Sequence, residues 1–373
     1  MAIAHTGQAI TEEVRQLAQT MRAAFLHNIG DIRLEEIRIP TLDSADQALV
    51  QIKAVGICGS DLHYYEKGRI GTAIVREPLI LGHEAAGQVV EVGAQVTDLQ
   101  PGDRVAIEPG RTCRRCEFCK SGRYNLCPDV IFLGTPPVHG AFCEYLAWPA
   151  DFLFKLPEQM SYEEGAMLEP LAVGMHAARL AQISPGDSVA VLGAGPIGLV
   201  SLQAAVAAGA TLTIATDVIP YRLRVARQLG ATYTLDANTD VVEVVMELTE
   251  GRGVDVVIDC VGLAETTRQA IAMVRRGGHI QAVGLAQDSI DQFPLFDIIN
   301  KEVSLAGTFR YANRHPSAIA TVVAGKVDVK SLITHRFPLA EIPEAMAWVV
   351  ENKHQVIKAI IQFGETNTNE EAN

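Results

Sequence analysis

The chain has 373 residues, of which 48% are hydrophobic and 20% are charged, so it is long enough for two well-packed domains. Its formal net charge of −13 argues against nucleic acid as a partner, because phosphate binding needs clustered Lys and Arg. The uncharged stretch 188–216 is long enough to cross a bilayer, but its glycines and Pro196 break it early. We therefore expect no membrane span.

The cysteines and the first residues bear on the compartment. Four of the seven cysteines lie within one short stretch at the spacing of metal ligands, which predicts reduced thiolates rather than disulfides. The chain does not begin with a basic region followed by an apolar core, so no signal peptide is expected. These two observations predict a cytoplasmic protein.

Residues 1–20 are predicted to be an N-terminal extension that lies outside the folded domains. Ile10, Val14 and Leu17 have helical spacing, so a short amphipathic helix is one expectation and disorder is the other.

From residue 21 to about residue 150 the pattern is strand-like and interrupted by Gly and Pro, which predicts a β-rich unit with long functional loops. Residues 160–183 are predicted as a loop entering a helix, with Ser161 as the N-cap. The clearest strands are 48–55, 87–92 and 104–108.

From Asp187 onward strands and helices alternate, which predicts an α/β unit with a doubly wound parallel sheet and helices on both faces. After about Thr308 two helical segments are expected to return to the first unit. The predicted strands are 188–192, 211–216, 254–259 and 279–284, and the predicted helices are 196–208, 221–229, 266–274, 316–324 and 343–350.

A glycine-rich turn follows the first of these strands. Gly193 is suited to the tight turn, Gly195 to a close approach of the backbone to a pyrophosphate, and Gly198 to packing of helix on strand. Pro196 and Ile197 then open a helix whose N-terminus faces the phosphates. The pattern predicts a dinucleotide-binding turn.

The next strand ends in Asp217, about 20 residues further on, where a carboxylate would accept hydrogen bonds from the ribose hydroxyls. Such a carboxylate would also repel a 2′-phosphate, so we expect NAD rather than NADP. Arg222 lies nearby and leaves the phosphate-bearing cofactor as an alternative.

Two sets of metal-type side chains are present. Cys113, Cys116, Cys119 and Cys127 lie at short spacing on one lobe, at about 108–130, and predict a closed, structural zinc site with four thiolates. An iron–sulfur cluster is the alternative for four cysteines.

The second set is incomplete. Cys58, His83, Glu84 and Glu169 are a thiolate, an imidazole and two carboxylates, which can bind zinc and leave one position open for water or substrate. An open position is the property that a catalytic zinc needs, so this set is the predicted catalytic site.

The chain resembles the zinc-dependent medium-chain dehydrogenases, and within them the sorbitol (polyol, L-iditol 2-) dehydrogenase group. The resemblance runs from about Met21 to Gly364. The segments that carry it are Gly-Ile-Cys-Gly-Ser-Asp-Leu-His-Tyr-Tyr-Glu, Gly-Arg-Ile-Gly, Leu-Gly-His-Glu-Ala, Gly-Arg-Tyr-Asn-Leu-Cys, Leu-Glu-Pro-Leu-Ala-Val-Gly-Met-His-Ala, Phe-Arg-Tyr-Ala-Asn and Thr-His-Arg-Phe-Pro-Leu.

This resemblance implies a GroES-like, β-rich catalytic domain at 21–171 and 310–373, interrupted by a Rossmann NAD-binding domain at 172–309. It also implies that Cys58, His83 and Glu84 ligate the catalytic zinc. Glu169 is a further candidate, either as a direct ligand or through a zinc-bound water, and the resemblance leaves this choice open.

The resemblance assigns further roles near the metal. Asp61 is expected to orient His83. Ser60 and His63 match a proton relay, although Ser60 could also be a turn residue that bonds its own backbone. The remaining implied contacts are Tyr64, Glu169, Arg310 and Tyr311 to substrate, Ile70 and Phe132 as apolar wall or ordinary core, and Val283, Gly284, Leu285, Thr308, Phe309 and Arg310 to the cofactor.

The expected function is reversible oxidation of a secondary hydroxyl of a polyol, such as sorbitol or xylitol, to the ketose. Zinc would lower the pKa of the hydroxyl and NAD would accept the hydride. A zinc alcohol dehydrogenase that acts on 2,3-butanediol, threonine or a simple secondary alcohol is the alternative. The resemblance implies two zinc ions per chain and a homotetramer.

Overall fold

The computed structural model describes residues 20–285 and 289–364, so nearly all of the expected extension 1–20 lies outside it. The first part of the chain is β-rich, as predicted. Its strands are β1 (Thr20–Asn28), β2 (Asp31–Arg38), β3 (Gln47–Ile57), β4 (Arg69–Ile70), β5 (Ala73–Ile74), β6 (Leu79–Ile80), β7 (Glu84–Val92), β8 (Arg104–Ile107), β9 (Gly110–Arg111), β10 (Ile131–Phe132), β11 (Tyr145–Pro149) and β12 (Leu153–Lys155). Its helices are α1 (Gly59–Lys67), α2 (Glu117–Lys120), α3 (Tyr162–Ala166) and α4 (Leu168–Leu180), with short 3₁₀ turns at Tyr124–Leu126 and Ala150–Phe152.

Strand β3 is the centre of this part. It pairs antiparallel with β7 along most of its length and with β11 through its first half. Nearly every residue of β3 is buried, which fits a strand that has neighbours on both edges and core on both faces. The pairing of Gly56 with Glu84 brings the end of β3 beside the start of β7.

The helix predicted within 160–183 is divided in two. Ser161 caps α3 as expected, in a capping box with Glu164, but that helix ends at Ala166 and α4 begins at Leu168. Pro170 gives the physical reason, because its ring would clash with the carbonyl of residue 166 in a continuous helix. The break places Glu169 in the first turn of α4.

The middle of the chain is the predicted doubly wound sheet, with six parallel strands in the order β15-β14-β13-β16-β17-β18. The first strand in the sequence, β13, thus lies at the centre. The strands are β13 (Ser188–Leu192), β14 (Leu212–Asp217), β15 (Tyr233–Asp236), β16 (Val254–Asp259), β17 (Val274–Ala282) and β18 (Ser304–Gly307), and the helices are α5 (Pro196–Ala208), α6 (Pro220–Gln228), α7 (Val241–Leu248), α8 (Ala264–Met273) and α9 (Leu295–Lys301).

The uncharged stretch 188–216 forms a strand, a turn, a helix and a second strand of this sheet. Among the described residues, no helix combines the length and apolar character that a membrane crossing requires. Strands β15 and β18 and helices α7 and α9 are elements that the sequence patterns did not predict.

The last part of the chain returns to the first unit, as predicted. It contains α10 (His315–Val323), β19 (Ile333–Pro338), α11 (Ile342–Glu351) and β20 (Lys358–Gln362), with 3₁₀ turns at Lys330–Leu332 and Leu339–Glu341. Strand β20 lies between β3 and β19, which completes a seven-stranded sheet. The predicted boundary at 171/172 falls inside the continuous helix α4, and the domain limits stay a prediction.

Candidate metal centre and substrate pocket

The incomplete ligand set converges where β3 and β7 lie side by side. Cys58 follows β3 as the N-cap of α1, while His83 and Glu84 stand at the start of β7. One ligand atom from each of the three lies within 4.8 Å of the others. A thiolate, an imidazole and a carboxylate are zinc ligand types, so these donors fit a zinc ion with a further position open.

Gly56 makes room for one of these ligands. Glu84 is completely buried, and a Cβ atom at Gly56 on the neighbouring strand would overlap the Glu84 Oε2 atom. The carboxylate therefore occupies space that only a glycine leaves open.

Lys358 is a residue of this site that the sequence analysis missed. Its Nζ atom lies 2.6 and 2.7 Å from the two carboxylate oxygens of Glu84 and donates to the Ile57 carbonyl at 3.1 Å. Burial alone would lower the pKa of Lys358, but the Glu84 carboxylate raises it, so the ammonium stays charged. A lone cation in the apolar run Val-Ile-Lys-Ala-Ile-Ile is the sequence signal that could have revealed it.

Asp61 holds the loops that carry the ligands. Its two carboxylate oxygens accept hydrogen bonds from the backbone N–H groups of Cys58, at 2.9 Å, and Gly82, at 3.1 Å. Asp61 Oδ1 also lies 3.6 Å from His83 Nδ1. Burial opposes a charge on His83, yet Asp61 and the Cys58 thiolate raise the pKa of the imidazole. This geometry suits the predicted orienting role.

Glu169 has a different environment from Glu84. It lies outside the cluster of three, and no cation among the described residues pairs with it. Burial, assisted by the Glu84 carboxylate and opposed by His83, raises the pKa of Glu169 to about 7. The two carboxylates thus have different environments. Glu84 is paired with the buried Lys358 ammonium, whereas Glu169 has no such cation and a pKa close to neutral pH.

The predicted substrate residues gather beside Glu169. The Arg310 guanidinium lies 4.0 Å from the ring centre of Phe132, and that ring is 5.5 Å from the imidazole of His83. Tyr311 is buried, and burial together with Glu169 raises the pKa of its phenol well above the usual value. Tyr64 is also buried on this side, while Ile70 is half-buried and packs against the main core.

Two polar atoms of this pocket lack a partner among the described residues. Arg310 Nη1 and the Tyr311 hydroxyl are both buried and unpaired. Buried polar groups are nearly always hydrogen-bonded in proteins, so an unpaired guanidinium and hydroxyl beside a metal cluster fit a polar ligand.

A buried pair that the sequence analysis missed lies behind Tyr311. His315 Nδ1 is 3.4 Å from Glu108 Oε2, and the His315 ring is 5.6 Å from the Tyr311 ring. The ring of Phe154 stacks on His315 at 4.8 Å. These contacts support the inner face of Tyr311.

The predicted relay residues lie on one helix. Ser60 is the second residue of α1 and His63 follows one turn later, so both side chains project on the same side of the helix. Both are half-buried. Burial, with a contribution from Lys67, lowers the pKa of His63 and favours its neutral form.

The glycine-rich turn has the form that a pyrophosphate needs. A Cβ atom at Gly198 would overlap the Gly193 carbonyl, whereas the space beside Gly195 is open, with the Arg222 guanidinium as its nearest group. Pro196 and Ile197 begin α5 directly after this opening. The residues therefore fit a dinucleotide phosphate group.

Asp217 ends β14 beside this turn. One carboxylate oxygen accepts from the Ala194 N–H and the other from the Ile219 N–H, each at 2.8 Å. Arg222 donates to the Lys353 carbonyl at 2.9 Å, and its Nη1 atom is 3.7 Å from Asp217. Carboxylate and guanidinium thus share the position expected for the ribose.

The remaining predicted cofactor residues follow the ends of β17 and β18. Val283 and Gly284 donate their N–H groups to the Asp259 carbonyl, and the Thr308 hydroxyl accepts from Gln281. Leu285 and Phe309 are 62% and 51% exposed. The carboxyl ends of parallel strands are where open α/β sheets bind ligands.

Cys113, Cys116, Cys119 and Cys127 form a second, separate cluster at the predicted lobe. Backbone N–H groups of Cys113, Cys116 and Cys119 point at the sulfurs of Cys127, Cys113 and Cys116 at 3.4 to 3.5 Å. Backbone N–H groups, first that of Arg115, lower the pKa of Cys113 to about 6. Four converging sulfurs with such donors fit a tetrahedral metal ion.

Comparisons with known proteins agree with this description. The alcohol dehydrogenase GroES-like domain family matches residues 44–158, and the zinc-binding dehydrogenase family matches residues 196–324. A sorbitol dehydrogenase of Bacillus subtilis is 44% identical, over 92% of this chain and 97% of its own length.

Solved structures give the same result. An Escherichia coli oxidoreductase of unknown specificity has a TM-score of 0.89 and 41% identity, over 93% of this chain and all of its own. A zinc-binding dehydrogenase from Sinorhizobium meliloti bound to NADP and a Bacillus subtilis 2R,3R-butanediol dehydrogenase each have a TM-score of 0.84 and 34% identity, over 92% of this chain and 99% of theirs.

The chain belongs to the zinc-dependent medium-chain dehydrogenases and, within them, to the sorbitol dehydrogenase group. It is an oxidoreductase that acts on CH–OH groups of a small-molecule substrate, with zinc and a nucleotide cofactor. The predicted family, the two-part fold and the enzyme class are confirmed.

Proposed function

We propose that this enzyme oxidises a secondary hydroxyl of a polyol, such as sorbitol, xylitol or a related sugar alcohol, reversibly to the ketose. The observation that carries the proposal is the pair of buried, unpaired polar atoms beside the metal cluster, Arg310 Nη1 and the Tyr311 hydroxyl. A polyol offers hydroxyls to pair with both, whereas a short alcohol leaves them unpaired at a cost in binding.

Cys58, His83 and Glu84 would hold the catalytic zinc, and Cys113, Cys116, Cys119 and Cys127 a structural one. When bound, zinc supplies a Lewis acid for the hydroxyl, and NAD supplies a hydride acceptor. Lys358 offsets the charge of the Glu84 carboxylate, so the open set of Cys58, His83 and Glu84 would present one net negative charge, that of the thiolate, to a divalent cation.

The proton of the hydroxyl would leave through Ser60 and His63. Ser60 follows Cys58 by two residues at the start of α1, and His63 is half-exposed one turn further on. Neutral imidazole is the form that accepts a proton, and burial lowers the pKa of His63 in that direction.

Glu169 and Tyr311 would position the substrate. Glu169 has a pKa of about 7, so at neutral pH it either accepts from a substrate hydroxyl as carboxylate or donates to one as acid. Tyr311 lies next to it; its hydroxyl makes no hydrogen bond of good geometry among the described residues, but it is close enough to the Glu169 carboxylate for that group to raise its pKa.

We infer NAD as the cofactor because Asp217 ends β14 beside the glycine-rich turn, where its charge would face the ribose of a bound dinucleotide. Arg222 does not reverse this preference, since its guanidinium is held by the Lys353 carbonyl and lies 3.7 Å from Asp217. Steady-state rates with NAD and NADP at equal concentration test this point, and a higher kcat/KM with NADP contradicts it.

The alternative is related chemistry on 2,3-butanediol, threonine or a simple secondary alcohol, and the structural likeness to a butanediol dehydrogenase keeps it in the test. A panel of sorbitol, xylitol, ribitol, galactitol, L-arabinitol, 2,3-butanediol and threonine, followed by NADH absorbance, separates the two. We expect kcat/KM to be at least tenfold higher for a polyol.

The variant Tyr311→Phe sharpens this panel, because it removes only the hydroxyl. For the polyol we expect a fall in kcat/KM of about 10- to 100-fold, whereas the value for 2,3-butanediol changes less than threefold. Tyr233→Phe, at a surface-exposed tyrosine of β15, is the matched control. Equal losses on both substrates would contradict polyol recognition by Tyr311.

The assembly and the compartment are also proposals. Strand β18 is the edge of the parallel sheet, and apolar side chains are exposed beside it, namely Leu285, Phe296, Ile299 and Leu305. An exposed apolar edge of this kind suits a second copy of the chain, so we propose a homo-oligomer, a tetramer by family expectation.

The thiolates of both clusters favour a reducing compartment, the cytoplasm.

A further inference from the structure

The loop 309–313 connects β18 to α10 and carries the groups proposed to contact substrate and cofactor. Arg310 and Asn313 have φ angles of 52° and 56°, in the left-handed region that residues other than glycine seldom adopt. Such a conformation persists only where neighbouring groups hold it. The neighbours of this loop therefore bear on the position of Arg310 and Tyr311.

Three hydrogen bonds tie the loop to the cysteine lobe, residues 108–130. Asn125 Nδ2 donates to the Phe309 carbonyl, the Asn313 N–H donates to the Tyr124 hydroxyl, and Asn313 Nδ2 donates to the Gly122 carbonyl, each at 2.8 Å. Both ends of the loop are thus held by lobe residues.

The same tyrosine continues the connection inward. The Tyr124 hydroxyl donates to Glu108 Oε1 at 2.7 Å, and Glu108 Oε2 lies 3.4 Å from His315 Nδ1, without a hydrogen bond between them, next to the Tyr311 ring. The middle of the loop is supported as well, because Arg310 lies over the ring of Phe132 on β10, which pairs with β9 at the start of the lobe.

The lobe has little regular structure of its own to hold these groups. Gly122, Tyr124 and Asn125 lie between the third and fourth cysteines, in a segment with only the four-residue helix α2 and one 3₁₀ turn. Helical pieces this short are not stable alone. Their position therefore depends on the convergence of Cys119 and Cys127.

We propose that the cysteine lobe positions the substrate loop, with Tyr124 and Asn125 as the positioning residues. The lobe then affects substrate and cofactor affinity as well as stability. This inference rests on the proposed function only for the roles of Phe309, Arg310 and Tyr311. A lobe that is merely structural would influence unfolding and leave affinity unchanged.

The test compares Asn125→Ala and Tyr124→Phe with Arg114→Gln in the full-length, metal-loaded enzyme. Arg114 is the matched control, because it binds the lobe to Asp46 and Asp151 at 2.7 Å each and makes none of the three hydrogen bonds to the loop 309–313. Asn125→Ala and Tyr124→Phe each remove one group that hydrogen-bonds the loop 309–313, so we expect KM for the best polyol to rise about 3- to 10-fold, with kcat within twofold. For Arg114→Gln we expect an unchanged KM.

Amide hydrogen exchange followed by mass spectrometry gives a readout that needs no turnover. In Tyr124→Phe the Asn313 amide loses its acceptor, so peptides covering 309–313 should exchange at least fivefold faster, while Arg114→Gln leaves them as in the wild type. The NADH dissociation constant, measured by fluorescence, should rise in Asn125→Ala, where the Phe309 carbonyl loses its donor.

The inference would be overturned if KM, NADH affinity and amide exchange were unchanged in both Asn125→Ala and Tyr124→Phe. An equal rise of KM in these two variants and in Arg114→Gln would also overturn it. Failure of the proposed function gives a different result. If the wild type oxidises no polyol, the exchange and NADH measurements still report on the loop.

Discussion

The two clusters of candidate metal ligands differ in the structure that holds them: paired strands hold one, and a segment with little regular structure holds the other. Cys58, His83 and Glu84 are presented by adjacent strands of a buried sheet, and the charge of Glu84 is matched by Lys358 from a third strand. The four cysteines 113, 116, 119 and 127 lie within one segment, and three of them remain half-exposed.

The comparison shows what each cluster depends on. The open set is positioned by long-range strand pairing and would keep its shape without metal, because Asp61 and Lys358 already satisfy its polar groups. Within the lobe the four cysteines are connected by backbone N–H to sulfur contacts and short turns, so a bound metal would supply the order that a core gives elsewhere. The first cluster is therefore positioned by the fold before metal binds, whereas the second would depend on its metal for order.

The largest expected effect is at the open set. In Cys58→Ser we expect kcat/KM for the best polyol to fall at least 1000-fold, about 4 kcal/mol, because the proposed catalytic zinc would lose its thiolate. Metal analysis of the purified variant should give one zinc per chain in place of two, retained by the lobe. Near-normal turnover with zinc still bound at this set would contradict the assignment.

The next test addresses preorganisation. Lys358→Met leaves the Glu84 carboxylate buried without its cation, so we expect the free energy of unfolding in urea to fall by about 3–5 kcal/mol. Lys353→Met is the matched control, since Lys353 pairs with Glu66 in a half-exposed bridge and should cost less than about 1 kcal/mol.

The double variant Lys358→Met with Glu84→Gln decides the cause. If the loss arises from an unpaired buried charge, removal of that charge should restore part of the stability of the single variant. Equal stability of the single variants at positions 358 and 353 would show that the open set does not depend on its buried pair.

The smallest effect is expected in the lobe. In Cys119→Ser we expect one zinc per chain, now in the open set, and a lower midpoint of thermal unfolding, with kcat within about threefold of wild type. KM should rise by about tenfold if the lobe positions the loop 309–313. Loss of both metals would show that the two clusters are not independent.

Much of this molecule could be predicted from local sequence. The glycine-rich turn, the four-cysteine lobe and the Cys58 and His83 segments each place their chemistry within a few residues. The alternation of strands and helices was enough for the parallel sheet. The break before α4 could also have been predicted, because Pro170 lies four residues after the end of α3.

The remainder depends on contacts between residues far apart in the sequence. Lys358 and Glu84 are separated by 274 residues, and Asn125 and the Phe309 carbonyl by 184. The sequence around each of these residues does not indicate which distant residue it will contact. The strands β15 and β18 were missed because edge strands are short and only half-buried, so their hydrophobic pattern is weak.

The position of β20 in the sheet has a consequence for biosynthesis. Among the residues around the open set, Cys58 comes early in the chain and Lys358 comes late. Lys358 lies on β20, which inserts between β3 and β19. At about 5–20 residues per second, a ribosome needs roughly 15 to 55 seconds to travel from Glu84 to Lys358. During that time Glu84 of the nascent chain has no cation partner, and the edge of β3 that later pairs with β20 is free. We expect a chaperone to bind the nascent chain in this interval.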